Sequence, residues 1–210
     1  SGLSGAAISS VSGSGTTYTI AVNTGSGDGT LALSLANATG PTPGISTSLP
    51  YSGGQYTLDR TAPEISSVSG PGSGNYTTGQ MLNFSVQFSE SVTVNTSSGV
   101  PAIPLTIGST NQPAVYSSGS GTSLLHFTYT VTSPDQDLDG IAVGGAITGP
   151  SGAISDAAGN AALLTLNNLS SATDVFVNAV APTVTVSTTA TSPVHGPFTV
   201  TIAFSQPVTG

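Results

Sequence analysis

The chain has 210 residues, 27 of them Gly and 14 Pro, with one basic residue (Arg60), nine acidic ones, no Cys, no Trp and a net charge of −8. One Arg cannot neutralise a phosphate backbone, so nucleic acid and anionic membrane surfaces are poor partners and cations better ones. Without Cys there is no disulfide framework and no thiol chemistry, and without a run of about 18 apolar residues there is no membrane-spanning helix to read.

Helix formers are scarce. Short runs of β-branched and aromatic residues between Gly, Ser, Asn and Pro clusters predict an all-β protein. In chain order the predicted strands begin with "AAISSVSG", "TTYTIAVN", "TLALSLAN" and "QYTLD" in residues 1–60. Then follow "EISSVSG", "MLNFSVQFS", "PAIPLTIG", "QPAVYSS", "SLLHFTYTVT", "GIAVGGAI", "ALLTL" and "TDVFVN" in 61–181. Two more, in "APTVTVSTT" and "FTVTIAFSQPV", lie in 182–210. Seven or eight strands with turns every ten residues or so argue for an immunoglobulin-like sandwich in the middle segment.

The segments repeat one another. "YTLDRTAPEISSVSG" from residue 56 resembles "VFVNAVAPTVTVSTT" from residue 175, each reading as last strand, linker, first strand. "LNFSVQFSESV" lies over "FTVTIAFSQPV", with Leu82, Phe84, Val86 and Phe88 alternating as Phe198, Val200, Ile202 and Phe204 do. "SGSGTTYTIAV" matches "SGSGTSLLHFTYTV". The expectation is therefore one complete sandwich at 61–181, the later strands of another at 1–60, and the first two strands of a third at 182–210. A sandwich without its first strands leaves an apolar face and a backbone edge open. A covalent neighbour fills it, or another copy does so by donating strands head to tail.

The acidic residues gather at expected junctions. "DQDLDG" supplies Asp135, Asp137 and Asp139 ahead of Gly140, and its loop is placed where the chain leaves the middle sandwich, near Asn178. Alternating carboxylates followed by Gly can start a cation loop. This is no EF-hand, because Ala146 stands where the closing Glu would be, and the other reading is a solvated turn. Asp59, Glu64, Glu90, Asp156 and Asn160 are placed together where the chain enters, as a second candidate set of metal ligands. No catalytic residue is expected. His126 alternates with Leu125 and Phe127 toward solvent, His195 sits in a turn, and no G-x-S-x-G, H-E-x-x-H or P-loop pattern occurs.

Together the linkers "DRTAPEI" and "NAVAPTV", the motifs "FSESV" and "FSQPV", "VYSSGSGTSLLHFTYTV", "DQDLDGIAV" and "ISDAAGNAA" resemble the bacterial Ig-like tandem repeats of giant surface adhesins and biofilm proteins. The resemblance implies an extracellular, non-enzymatic array on the bacterial cell surface that extends, spaces or adheres, often with Ca²⁺ stiffening its junctions. Its partners would be neighbouring repeats head to tail, with surface glycans or a host receptor as the alternative role. The sequence departs from that pattern at Asn178, where the linker commonly carries Asp, and at Gln206, which stands where the middle repeat has Glu90.

Overall fold

The computed structural model describes residues 2–37, 47–167, 169 and 172–208, and among these there is no helix. The N-terminal segment forms two hairpins. Strands β1 (Ala7–Ser14) and β2 (Thr17–Asn23) make one, and β3 (Gly29–Leu35) and β4 (Tyr51–Leu58) the other.

The middle segment carries ten strands. They are β5 (Ile65–Ser69), β6 (Gly74–Tyr76), β7 (Met81–Val94), β8 (Ala102–Ile107), β9 (Thr110–Ser118), β10 (Thr122–Thr130), β11 (Gln136–Asp137), β12 (Ala142–Val143), β13 (Ile154–Ser155) and β14 (Val175–Asn178). Seven form one sheet, in the order β12-β8-β9-β10-β7-β13 with β5 paired to β7, while β11, β14 and β6 form a second. Residues of both sheets enter one core, where Leu82, Phe84, Val86 and Phe88 of β7 meet Ile103, Leu105, Leu125, Phe127, Val175 and Val177. Period-two alternation along β7 is what puts these four apolar side chains on one face. Two layers around one core make the middle segment compatible with a β-sandwich. The buried core residues described run from Ile65 to Ala179.

Two predicted strands differ from the observed ones. "GIAVGGAI" yields only β12, because the Gly144-Gly145 pair has no side chains to pack on a pleated surface. "ALLTL" forms no strand and is held by single bridges, Leu163 to Glu64 and Thr165 to Ala146. The short β6, parallel to β14, has only three residues, too few to carry a periodic signal.

The C-terminal segment is a hairpin of β15 (Val184–Thr188) and β16 (Val200–Phe204). It reproduces the pairing of β5 with the first half of β7. Ile65 opposes Phe88 and, past a one-residue bulge at Ser66, Val68 opposes Val86 in the middle segment; at the C-terminus Val184 opposes Phe204 and Val186 opposes Ile202 with no bulge between them. The serine that follows is used identically. Ser89 donates its amide to the Glu64 carbonyl (2.8 Å) and accepts the Glu64 amide at Oγ (3.0 Å). Ser205 does both with Thr183, at 2.9 Å each. The environments differ. Phe88 is 2 % exposed and Phe204 49 %.

Candidate functional site

Two strand ends and the interior of a third strand converge where the middle segment begins. Asp59 directly follows β4, Asp156 directly follows β13, and Glu90 lies on the inward-facing parity of β7 between buried Phe88 and Val92. One carboxylate oxygen from each lies within 4.8 Å of the other two. Asp156 is buried and fixed by Asn160, whose backbone amide reaches Oδ1 at 2.8 Å and whose Nδ2 reaches Oδ2 at 2.7 Å. The same Nδ2 donates to the Asp59 backbone carbonyl at 3.2 Å, so one amide side chain ties the loop to the linker.

The electrostatics follow from this packing. Burial raises the Glu90 carboxyl above its ordinary range, and the charges of Asp59, Asp156 and Asp28 raise it further. Burial also pushes Asp156 upward, but hydrogen bonds from the Asn160 side chain and from the amides of Asn160, Gly159 and Ala158 outweigh it and hold the group low. Asp28 joins from the N-terminal segment. Its carboxylate accepts the Thr61 hydroxyl and the Arg60 amide, and these bonds lower its pKa. The Arg60 guanidinium donates to the Gly27 carbonyl and the Thr24 hydroxyl (2.8 Å), and its charge adds to the lowering of Asp28.

Three convergent carboxylate oxygens are the donor set that a hard divalent cation takes, since ligands about 2.4 Å from Ca²⁺ lie within about 5 Å of one another. The residues present therefore fit such an ion. At the corresponding place between the middle and C-terminal segments, the linker residue and the strand-end residue are Asn178 and Gln206. There Asn178 Nδ2 donates directly to Gln206 Oε1 at 3.1 Å, and Gln206 donates in turn to the Val180 carbonyl. A neutral amide pair spans that junction.

The other sequence-predicted ligands are not brought to such a cluster. Glu64 is exposed, and its backbone, not its carboxylate, engages Ser89. The "DQDLDG" loop does lie beside Asn178, through the Gln136–Asn178 pairing and the Ala179 amide on the Asp135 carbonyl. Yet its carboxylates serve the chain itself. Asp135 Oδ2 accepts the Tyr129 hydroxyl (2.7 Å) and the Thr132 amide (2.8 Å), and Asp137 accepts the amides of Gly108 (2.7 Å) and Gly140 (2.9 Å). Asp139 points outward and is exposed. Gly140 sits at φ +104°, and a Cβ there would strike the Thr173 carbonyl. The loop is thus a surface turn whose two buried carboxylates are satisfied by the chain's own donors. Asp137→Ala is expected to cost about 1 to 3 kcal/mol for each amide left unpaired, by the same amount in calcium and in EDTA when read by thermal melting.

Asp28 is the member that sequence reasoning missed; it singled out Asn178 and Gln206 but not the bond between them. Asp28 precedes Gly29 in a turn of its own and reaches the junction only through tertiary pairing. His126 is half-buried, with Nδ1 at 3.1 Å from Ser85 Oγ, and His195 is exposed. Compared with family models, curated proteins and solved structures, the chain matches none.

Proposed function

We infer that this protein is a non-enzymatic structural component of an extracellular fibre or repetitive cell-surface adhesin, built from tandem Ig-like sandwiches joined head to tail. The observation that carries this reading is the C-terminal hairpin. It repeats the opening strands of the middle segment in its Val184–Phe204 pairing, the counterpart of Ile65–Phe88, and in its serine hydrogen bonds, yet its apolar face is exposed. An element built for a core, recurring along a chain, is what a linear array of like units requires. The junctions would then set the stiffness of the array. At the Asp59–Glu90–Asp156 junction Ca²⁺ would neutralise three carboxylates and hold linker, strand and loop together, and at the Asn178–Gln206 junction hydrogen bonding takes that role.

Electron microscopy of the native protein tests the reading. Extended fibres or beaded threads, straighter in calcium than in EDTA, are the expected image; dispersed compact particles would overturn it.

A further inference from the structure

The two N-terminal hairpins face each other across an apolar cleft of about 710 Å³, lined by Ile8, Ile20 and Val22 on one side and Leu31, Leu33 and Tyr51 on the other. Its walls remain open, with Ile8 55 % and Tyr51 58 % exposed. The outer edge of β2, away from β1, has no strand partner among the described residues, and neither has the outer edge of β16, away from β15. The C-terminal hairpin is sharply two-faced. Val184, Val186, Val200, Ile202 and Phe204 share one side, while Thr185, Ser187, Thr201 and Ala203 share the other.

The middle segment shows how such surfaces fit. There β10 pairs antiparallel with β7, placing Leu125 opposite Val86, His126 opposite Ser85 and Phe127 opposite Phe84. The β1–β2 and β9–β10 hairpins approach their turns alike through a glycine, although the second turn is one residue longer. Gly13 and Gly119 both have strongly positive φ, and a Cβ on each would meet, across the hairpin, the carbonyl of Thr17 or Leu124 and the Cα of Tyr18 or Leu125. Tyr18 therefore stands for Leu125, Thr19 for His126 and Ile20 for Phe127. The equivalent pairings of Phe204 with Val184 and of Phe88 with Ile65, and the matching serines after them, make Ile202 stand for Val86, Thr201 for Ser85 and Val200 for Phe84 along the strand.

We propose that the N-terminal cleft accepts the β15–β16 hairpin of a second copy of this chain, β16 pairing antiparallel with β2 so that Tyr18 opposes Ile202, Thr19 opposes Thr201 and Ile20 opposes Val200. The contact is heterologous, so it propagates rather than closes, and main-chain pairing along a free edge with apolar side chains inserted beneath it is strand addition. This rests on the array reading above and names its contact.

Because the chain has no Cys, one engineered pair reports the register. Thr19 and Thr201 are both exposed, and their middle-segment counterparts touch across the outer face. The full chain carrying Thr19→Cys and Thr201→Cys is expected to give an intermolecular disulfide ladder of dimers, trimers and longer species on oxidation. Thr19→Cys with Thr185→Cys, one strand further from β2, is expected to give none. An internal disulfide in a monomer would overturn the proposal, because the hairpin would then fold back on its own chain. Oligomers that form without a Thr19–Thr201 ladder would overturn the register and leave the array reading standing. A chain that stays monomeric in sedimentation without a ladder would overturn the contact; the array reading is then decided separately by the micrographs of native protein.

Discussion

Replacing Phe88 with alanine is expected to lower the stability of the middle segment by about 3 to 5 kcal/mol, the cost of removing a fully packed aromatic ring and leaving a cavity. Phe88 is almost wholly buried opposite Ile65, in a core with little freedom to collapse, and thermal melting should show a drop on the order of 10 °C or more. Phe204→Ala supplies the informative contrast. In the dilute isolated chain, where Phe204 is half exposed, the loss should be small. In the assembled protein it should approach the Phe88 value. Equal, small losses in both settings would mean that Phe204 never enters a core.

Calcium is expected to stabilise the Asp59–Glu90–Asp156 junction, and the double variant Asp59→Asn, Glu90→Gln to abolish that effect. At calcium a hundredfold above its dissociation constant the equilibrium of the native junction shifts about a hundredfold toward the ordered form, and that of the variant not at all. In EDTA the order reverses, because the variant has exchanged repelling carboxylates for an amide pair of the Asn178–Gln206 kind. Acid separates the two carboxylates. Glu90 has a raised folded pKa, so its destabilisation, present above that pKa, is relieved as pH falls through it. Asp156 has a lowered one, so its contribution, present above the unfolded pKa, is lost as pH falls through the folded value. The metal-free protein should thus firm up on mild acidification and weaken on further acidification, and calcium should matter less once Glu90 carries a proton. Calorimetry across pH with and without EDTA checks both signs.

Much of the β architecture was legible because alternation leaves a direct trace. Leu82, Phe84, Val86 and Phe88 announce one buried face, and the same cadence at Phe198 to Phe204 announces its repetition. Single hydrogen bonds leave no such trace. The cadence of Asp135, Asp137 and Asp139 suggested ligands, but a pattern of carboxylates does not reveal whether the chain's own donors already occupy them. Here Tyr129, Thr132, Gly108 and Gly140 do. Asp59, Glu90 and Asp156 could be grouped by counting strand ends, since loops alternate between the poles of a layered β fold. The same count places Glu64 with them, yet pole counting does not fix the direction in which a side chain points. Asp28 and the Asn178–Gln206 pair depend on contacts between segments that no local window contains.

The most direct measurement is amide hydrogen exchange in the native protein, comparing Val200–Phe204 with the matching stretch Phe84–Phe88. If β15–β16 opens another sandwich completed by its neighbours, the two stretches will show comparable slow exchange. Rapid exchange at Val200–Phe204, typical of an isolated two-stranded hairpin, would contradict the account.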